Sequence, residues 1–227
     1  MPFTSTESAA VFQASAPRYP VEALGRTPAS VLEVGAGSGG GTRHLLETLP
    51  GVPVIALEPD DAARNALVWH LVAAGAVTDD LTVLPLRLAE APGRHDLVVC
   101  HHVVCQVDPG DRPAFWADVR DHLTDDGVAL VDAHLGTATA SAVPRRLSAE
   151  GRLGAARYRR WFTATPVDGA VEVHQEYEIL AADGTLLHRE ERRSRSALVS
   201  EEEDLAVVAD AGLVAERLDG WFALRRS

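Results

Sequence analysis

The stretch Val31–Leu46, VLEVGAGSGGGTRHLL, decides the fold. Val31, Leu32 and Val34 form a short apolar run that suits a strand buried on both faces. Glycines follow at Gly35, Gly37, Gly39, Gly40 and Gly41, and Thr42 opens a segment with Leu45 and Leu46 at helical spacing. Strand, glycine turn and helix together make the first unit of a nucleotide-type α/β fold. The turn needs glycine because its backbone N–H groups must approach a ligand with no Cβ in the way. The helix N-terminus adds partial positive charge.

Two patterns overlap in the turn. Gly35, Gly37 and Gly40 satisfy G-x-G-x-x-G, the dinucleotide fingerprint, whereas Glu33 to Gly39 satisfies E-x-G-x-G-x-G. Glu33 separates them, because a carboxylate inside an apolar strand costs several kcal/mol, roughly, unless it is paired. A dinucleotide brings no cation to that position. S-adenosylmethionine (SAM) brings an α-ammonium and a sulfonium. A structural arginine against Glu33 is the plainer alternative. The longer motif resembles motif I of the class I SAM-dependent methyltransferases, small-molecule branch.

Composition bounds the reading. The chain has 227 residues, 46% of them hydrophobic, enough for a full α/β core and ordinary for a globular domain. A formal net charge of −12 argues against nucleic acid as substrate. All 21 basic residues are arginines, which speaks of codon usage and not of mechanism. Cys100 and Cys105 are too few for a disulfide framework or a zinc site, so no metal is expected. No targeting segment or long apolar span is evident, so no membrane partner and a cytoplasmic location are expected.

Along the chain, Thr4 and Glu7 have capping-box spacing ahead of a short helix through Ala9–Ala14, which Pro17 ends. Pro20 starts a second short helix through Val21–Leu24. Thr42–Leu49 is expected as a helix and Val54–Leu57 as the second strand, delivering Glu58 at its end, where an acid accepts from ribose hydroxyls. The helix Asp61–Ala74 carries a core stripe of Ala63, Leu67 and Leu71, with Trp69 and His70 read as packing. Leu81–Leu84 and Asp96–Cys100 are the third and fourth strands, and His101 and His102 follow the latter. Arg112–Leu123 is a helix with Phe115, Val119 and Leu123 inward, and Val128–Val131 is the fifth strand, leading to His134. Residues 136–154 read as a connector with a short helix. Ala170–Leu180 and Thr185–Ser194 read as a hairpin across Asp183-Gly184. A capped helix from Ser200 and two closing strands, Val214–Leu218 and Trp221–Arg225, end the chain.

The methyltransferase resemblance covers most of Val31–His134 by motif and the rest by order of elements. It implies a three-layer, doubly wound, mostly parallel seven-stranded sheet in a single domain spanning 1–227. Residues 1–29 would be a helical lid and 30–135 the cofactor-binding core. Residues 136–198 would be an antiparallel addition at the acceptor site, and 199–227 the closing elements. On the resemblance, SAM is the cofactor, leaving as S-adenosylhomocysteine. Arg18 or Tyr19 would meet its methionine end, with Glu33, Gly35, Ala36, Gly37 and Gly39. Glu58 would hold the ribose, Pro59 would flank the adenine, and Leu88, Ala89, Cys100 and His101 would complete the site. Leu88 stands where the family often has Asp or Thr, leaving adenine recognition there to backbone groups. His102, His101 and His134 are the candidate bases, since imidazole titrates near neutrality. Tyr158, Trp161, Phe162, His174, Tyr177 and His188 are candidates for the acceptor pocket. The expected reaction is methyl transfer to an O, N or C nucleophile of a small molecule such as a natural-product intermediate, with a homodimer left open. A SAM fold recruited for cyclisation and an NAD(P)-dependent oxidoreductase are the alternatives.

Overall fold

A computed structural model describes residues 18–133, 141–197 and 199–227. The expected helix through Ala9–Ala14 and His134 lie outside the described residues. The described residues divide into two compact units, one comprising 18–133 with 199–227 and the other 141–197.

The first unit begins, among the described residues, with a 3₁₀ turn at Val21–Leu24. It continues through β1 (Val31–Val34), α1 (Gly40–Thr48), β2 (Val54–Leu57), α2 (Asp61–Ala73), β3 (Leu81–Leu84), β4 (His95–Cys100), α3 (Arg112–Asp121) and β5 (Leu123–Asp132). The second unit holds β6 (Val143–Leu153), β7 (Ala156–Val167), β8 (Ala170–Leu180) and β9 (Leu186–Ala197). The chain then returns to the first unit with α4 (Glu201–Asp210), β10 (Leu213–Leu218) and β11 (Trp221–Arg226).

The first unit's sheet has seven strands in the order β10-β11-β5-β4-β1-β2-β3. β1 pairs in parallel with both β2 and β4, while β11 runs antiparallel to β5 and β10. The chain therefore leaves β1 toward β2 and β3, then crosses back to lay β4 on its other side. That reversal opens a crevice beyond the C-terminal ends of β1 and β4, where ligands bind in open α/β sheets.

Strand periodicity divides the core. Leu32 and Val34 face a cluster with Trp116, Val119 and Val208, while Val31 faces one with Leu45, Val54 and Tyr19. All four residues of β1 are buried, as the apolar run predicted. Glu33 shares the Val31 side of the pleat.

Three expectations change. Leu67 and Leu71 are buried on α2, but Trp69 is 67% exposed and belongs to the solvent side. On α3 the buried face is Arg112, Trp116 and Val119, so Trp116 fills the place expected of Phe115, which packs only at the edge of the core. Arg112 donates to both carboxylate oxygens of the buried Asp204, tying α3 to α4.

The third change is in the second unit, where the expected connector and short helix prove to be strand. β6 to β9 form a four-stranded antiparallel sheet in sequential order. Pro144 and Gly151, which argue against a strand, are tolerated because β6 is an edge, and its pairing with β7 slips at two places. One face carries Glu176 and Glu178 with Arg145, Arg189 and Trp161, an ion-paired network in which Arg145 lies 3.9 Å from the Trp161 ring centroid. The expected hairpin is β8–β9, closed by Thr185 N–H donating to Asp183 at 2.9 Å. Of the acceptor-pocket candidates on this sheet, His174 meets Glu191 at 3.0 Å and Tyr177 donates to Gln175 at 2.8 Å.

Among the described residues no helix is long and apolar enough to cross a membrane, and none of their His, Cys, Asp and Glu side chains cluster in threes fit for a metal ion.

Candidate active site

The site grows from the end of β1. Glu33 is 2% exposed, and no arginine answers it. Its carboxylate accepts from the Tyr19 hydroxyl at 2.9 Å and from the Thr42 hydroxyl at 2.5 Å. Tyr19 comes from the segment before the 3₁₀ turn and Thr42 from the first turn of α1, so three separate elements converge on one carboxylate. Burial, reinforced by the charge of Glu58, pushes the Glu33 carboxyl up to about 7, against the pull of the two hydroxyls. Burial, then the neighbouring Glu33, raises the Tyr19 phenol well above its ordinary range, so the phenol stays a donor.

The raised Glu33 value sets a pH dependence. The folded protein holds this proton more tightly than the unfolded chain, whose ordinary value is about 4.5. Stability from this group is therefore fully present below about pH 4.5 and declines as pH rises through about 7, by up to about 3 kcal/mol. Glu33→Gln, which mimics the protonated form, should gain stability relative to the parent between pH 5.5 and 8 in ligand-free thermal melts. Parallel melting curves across that range would show that Glu33 ionises normally.

The glycine turn leads from Glu33 to α1. Gly35, Gly37 and Gly39 all have left-handed backbone, with φ of 67°, 56° and 87°. At Gly37 an added Cβ would meet no protein atom within 4 Å, so this turn edges open space, the cradle a ligand needs. Gly41 is different. A Cβ there would stand 2.0 Å from the Tyr19 hydroxyl and 2.5 Å from Glu33 Oε1. Gly41 is glycine so that the Tyr19–Glu33 hydrogen bond can pass beside the helix.

Glu58 ends β2, as predicted, and is 7% exposed. Its Oε2 accepts from Gly37 N–H at 2.8 Å and its Oε1 from Asp60 N–H at 2.9 Å. The carboxylate thus braces the glycine turn. Arg64 donates to the carbonyls of Glu58 and Pro59, at 2.8 and 3.3 Å, fixing the strand end. Glu58→Ala should weaken S-adenosylhomocysteine binding at least about tenfold, charge-assisted hydrogen bonds contributing roughly 1.5–3 kcal/mol each. Isothermal titration gives the answer, and unchanged affinity would make Glu58 a brace of the turn only.

Leu88 and Ala89 sit in a 3₁₀ turn after β3, where the Leu88 side chain packs into the core and Ala89 is exposed. Ala36 is buried and its N–H donates to the Leu57 carbonyl at 2.9 Å. Cys100 is buried at the end of β4, and burial raises its thiol pKa.

The histidines after β4 separate in character. The His101 ring stacks on Trp221, 5.5 Å between centroids at 29°, and meets Tyr19 edge-on at 6.4 Å. His102 follows 4.0 Å away, ring to ring, with its side chain 58% exposed. Its backbone is left-handed, φ 55°, an unusual state for a residue with a Cβ. Asp132 holds that conformation by accepting from His102 N–H at 2.9 Å.

Asp132, Thr42, Gly41 and Trp221 were not singled out from the sequence. Asp132 had a signal: like Glu58 after Val54–Leu57, it is an acid ending a buried apolar run, Val128–Val131. Thus Glu33, Glu58 and Asp132 mark the C-terminal ends of β1, β2 and β5. Three carboxylates therefore stand at the C-terminal strand ends, the edge where ligands bind in open α/β sheets.

The comparisons agree. Residues 32–129 match the family described as "Methyltransferase domain". No curated protein matches the sequence. Among solved structures, the chain resembles a sugar N-methyltransferase from a Streptoalloteichus species, with TM-score 0.71 and 20% identity over 98% of this chain and 88% of that one. It resembles an amino pentose methyltransferase involved in calicheamicin biosynthesis, from Micromonospora echinaspora, with TM-score 0.72 and 16% identity over 100% and 99%. It also resembles DesVI of Streptomyces venezuelae, with TM-score 0.69 and 16% identity over 97% and 91%. The chain thus shares the fold of these methyltransferases, and its residues 32–129 match the methyltransferase-domain family.

Proposed function

We propose that the enzyme methylates an amine or hydroxyl of a small molecule, an intermediate of natural-product assembly, with His102 as the base. The observation that carries this reading is His102 after β4, its backbone N–H held by Asp132 and its ring Nδ1 3.5 Å from the same carboxylate. An amine or hydroxyl that must lose a proton as it is methylated gives such a base its use. Sugar amines head the order of trial, because two of the similar structures are described as acting on a sugar and an amino pentose.

When bound, SAM supplies an activated methyl group, and the sulfur departs as S-adenosylhomocysteine. Glu33 would balance the α-ammonium, the turn at Gly35 and Gly37 would admit the methionine end, and Glu58 would accept from the ribose hydroxyls. His102 takes the acceptor's proton while His101, packed on Trp221, fixes the floor beside it. Positioning alone contributes up to roughly 7–11 kcal/mol in well-oriented systems. The reading carries with it a cytoplasmic enzyme without a nucleic-acid partner, in keeping with a net charge of −12. Incubation with trideuteromethyl SAM and a panel of hexosamines, aminopentoses and hydroxylated aromatics should add 17 mass units to an amine or hydroxyl acceptor, about one labelled methyl replacing a proton. Labelling of carbon acceptors alone would overturn the amine-or-hydroxyl reading.

A further inference from the structure

The pairing at the ends of β4 and β5 goes further than the anchoring of a loop. Asp132 is 4% exposed, and its two oxygens have different tasks. Oδ1 accepts from the backbone N–H of His102 at 2.9 Å. Oδ2 is buried without a hydrogen-bond donor within reach, yet lies 3.5 Å from Nδ1 of the same residue. A buried carboxylate oxygen left without a donor is expensive, so such atoms mark a partner. The ring nitrogen is the one in place, and a small rotation of an exposed imidazole closes the gap. Catalytic hydrogen bonds are often long until substrate binds.

The backbone supports the same conclusion independently. His102 adopts φ 55°, an unfavourable left-handed state for a residue with a Cβ. Two further side chains, Gln106 at 2.7 Å and Cys105 at 3.2 Å, donate to the His102 carbonyl. The peptide groups on both sides of this residue are thus held in a strained state, and the product is an imidazole whose Nδ1 edge faces a buried anion.

We infer that Asp132 is the positioning residue of this enzyme: it fixes the neutral His102 ring in the Nδ1–H tautomer, turning Nε2 into the proton acceptor, and balances the imidazolium formed on proton uptake. This rests on the reading of His102 as the base. The proton leaves the nitrogen or oxygen of the acceptor as its bond to the methyl carbon forms, passes to Nε2, and later returns to solvent. Asp132 takes no proton. The other titratable groups around the pair, among the described residues, are His101, Tyr19, Cys100 and Cys105. Burial raises the phenol and both thiols, so none of these three adds a negative charge near neutrality. Asp132 is left as the anion facing the ring.

The test uses the full-length protein with S-adenosylhomocysteine bound. Nitrogen-15 long-range correlation spectra at about pH 8, where an ordinary imidazole is neutral, should show His102 as the Nδ1–H tautomer. In Asp132→Asn, whose amide can keep the backbone contact but donates toward the ring, His102 should switch to Nε2–H. Turnover on a methylated member of the panel should fall by about 10²-fold or more, with KM and S-adenosylhomocysteine affinity little changed. A parent His102 in the Nε2–H form overturns the inference, and needs no variant to be seen. So does an Asp132→Asn enzyme of normal turnover when His102→Gln is impaired. Normal turnover in His102→Gln overturns the base reading instead.

Discussion

His102→Gln should lower turnover by roughly 10²–10⁴, the usual contribution of a general base. The cofactor should bind as before, because on the proposed reading Glu33, the glycine turn and Glu58 would hold it without His102. The rising limb of the pH–rate profile that deprotonation of this base creates should vanish in the variant. His101→Gln should behave otherwise. Its ring is packed between Trp221 and Tyr19, so its loss should disturb packing and KM before it disturbs proton transfer. Single-turnover mixing with an identified acceptor separates these effects from product release. Near-normal turnover in His102→Gln would leave proximity as the whole mechanism.

Gly41→Ala should be the most damaging small substitution in the cofactor site. A methyl group there would lie 2.0 Å from the Tyr19 oxygen and 2.5 Å from Glu33 Oε1, well inside contact distance. Tyr19 cannot retreat easily, since it is 4% exposed and its ring meets Trp221 edge-on at 5.4 Å. Overpacking of this kind costs about 1–3 kcal/mol. Breaking the Tyr19–Glu33 bond then leaves a buried carboxyl short of a donor, at about 1–3 kcal/mol more. The expected outcome is a melting temperature lowered by several degrees and S-adenosylhomocysteine binding weakened at least about tenfold. Tyr19→Phe combined with Gly41→Ala should recover part of the lost stability, because the clashing oxygen is gone. No recovery in the double variant would place the damage in the helix backbone.

Why some of this was legible in the sequence and some was not follows from how each feature is encoded. Glu33 and Glu58 announce themselves because a carboxylate at the edge of an apolar strand is costly, and a local pattern of a few residues states that cost. The alternation of strands and helices in the first unit is legible in the same local way, whereas the seven-stranded sheet was expected from the methyltransferase resemblance. Asp132 carries the same local mark, yet its partner lies 30 residues earlier, and nothing local ties the two together. The donors to Glu33 likewise arrive from Tyr19, 14 residues before it, and Thr42, 9 residues after. Sequence shows the acid and conceals its partners. On α3 the apolar stripe admits two phases one residue apart, and Trp116 with a buried Arg112 decides between them only through Asp204 on a distant helix. The strands β6 and β7 are half-exposed with no turn signal as sharp as Asp183-Gly184, which marks the passage from the alternating β8 into β9.

The most direct test of the account is calorimetric titration of the purified protein with S-adenosylhomocysteine and, separately, with NAD. The three strand-end acids and the glycine cradle predict one S-adenosylhomocysteine site of micromolar affinity or tighter, a free energy of about −8 kcal/mol or more favourable, with a matching rise in melting temperature. NAD should produce no heat of binding. Binding of NAD with none of S-adenosylhomocysteine or SAM would contradict the account at its base.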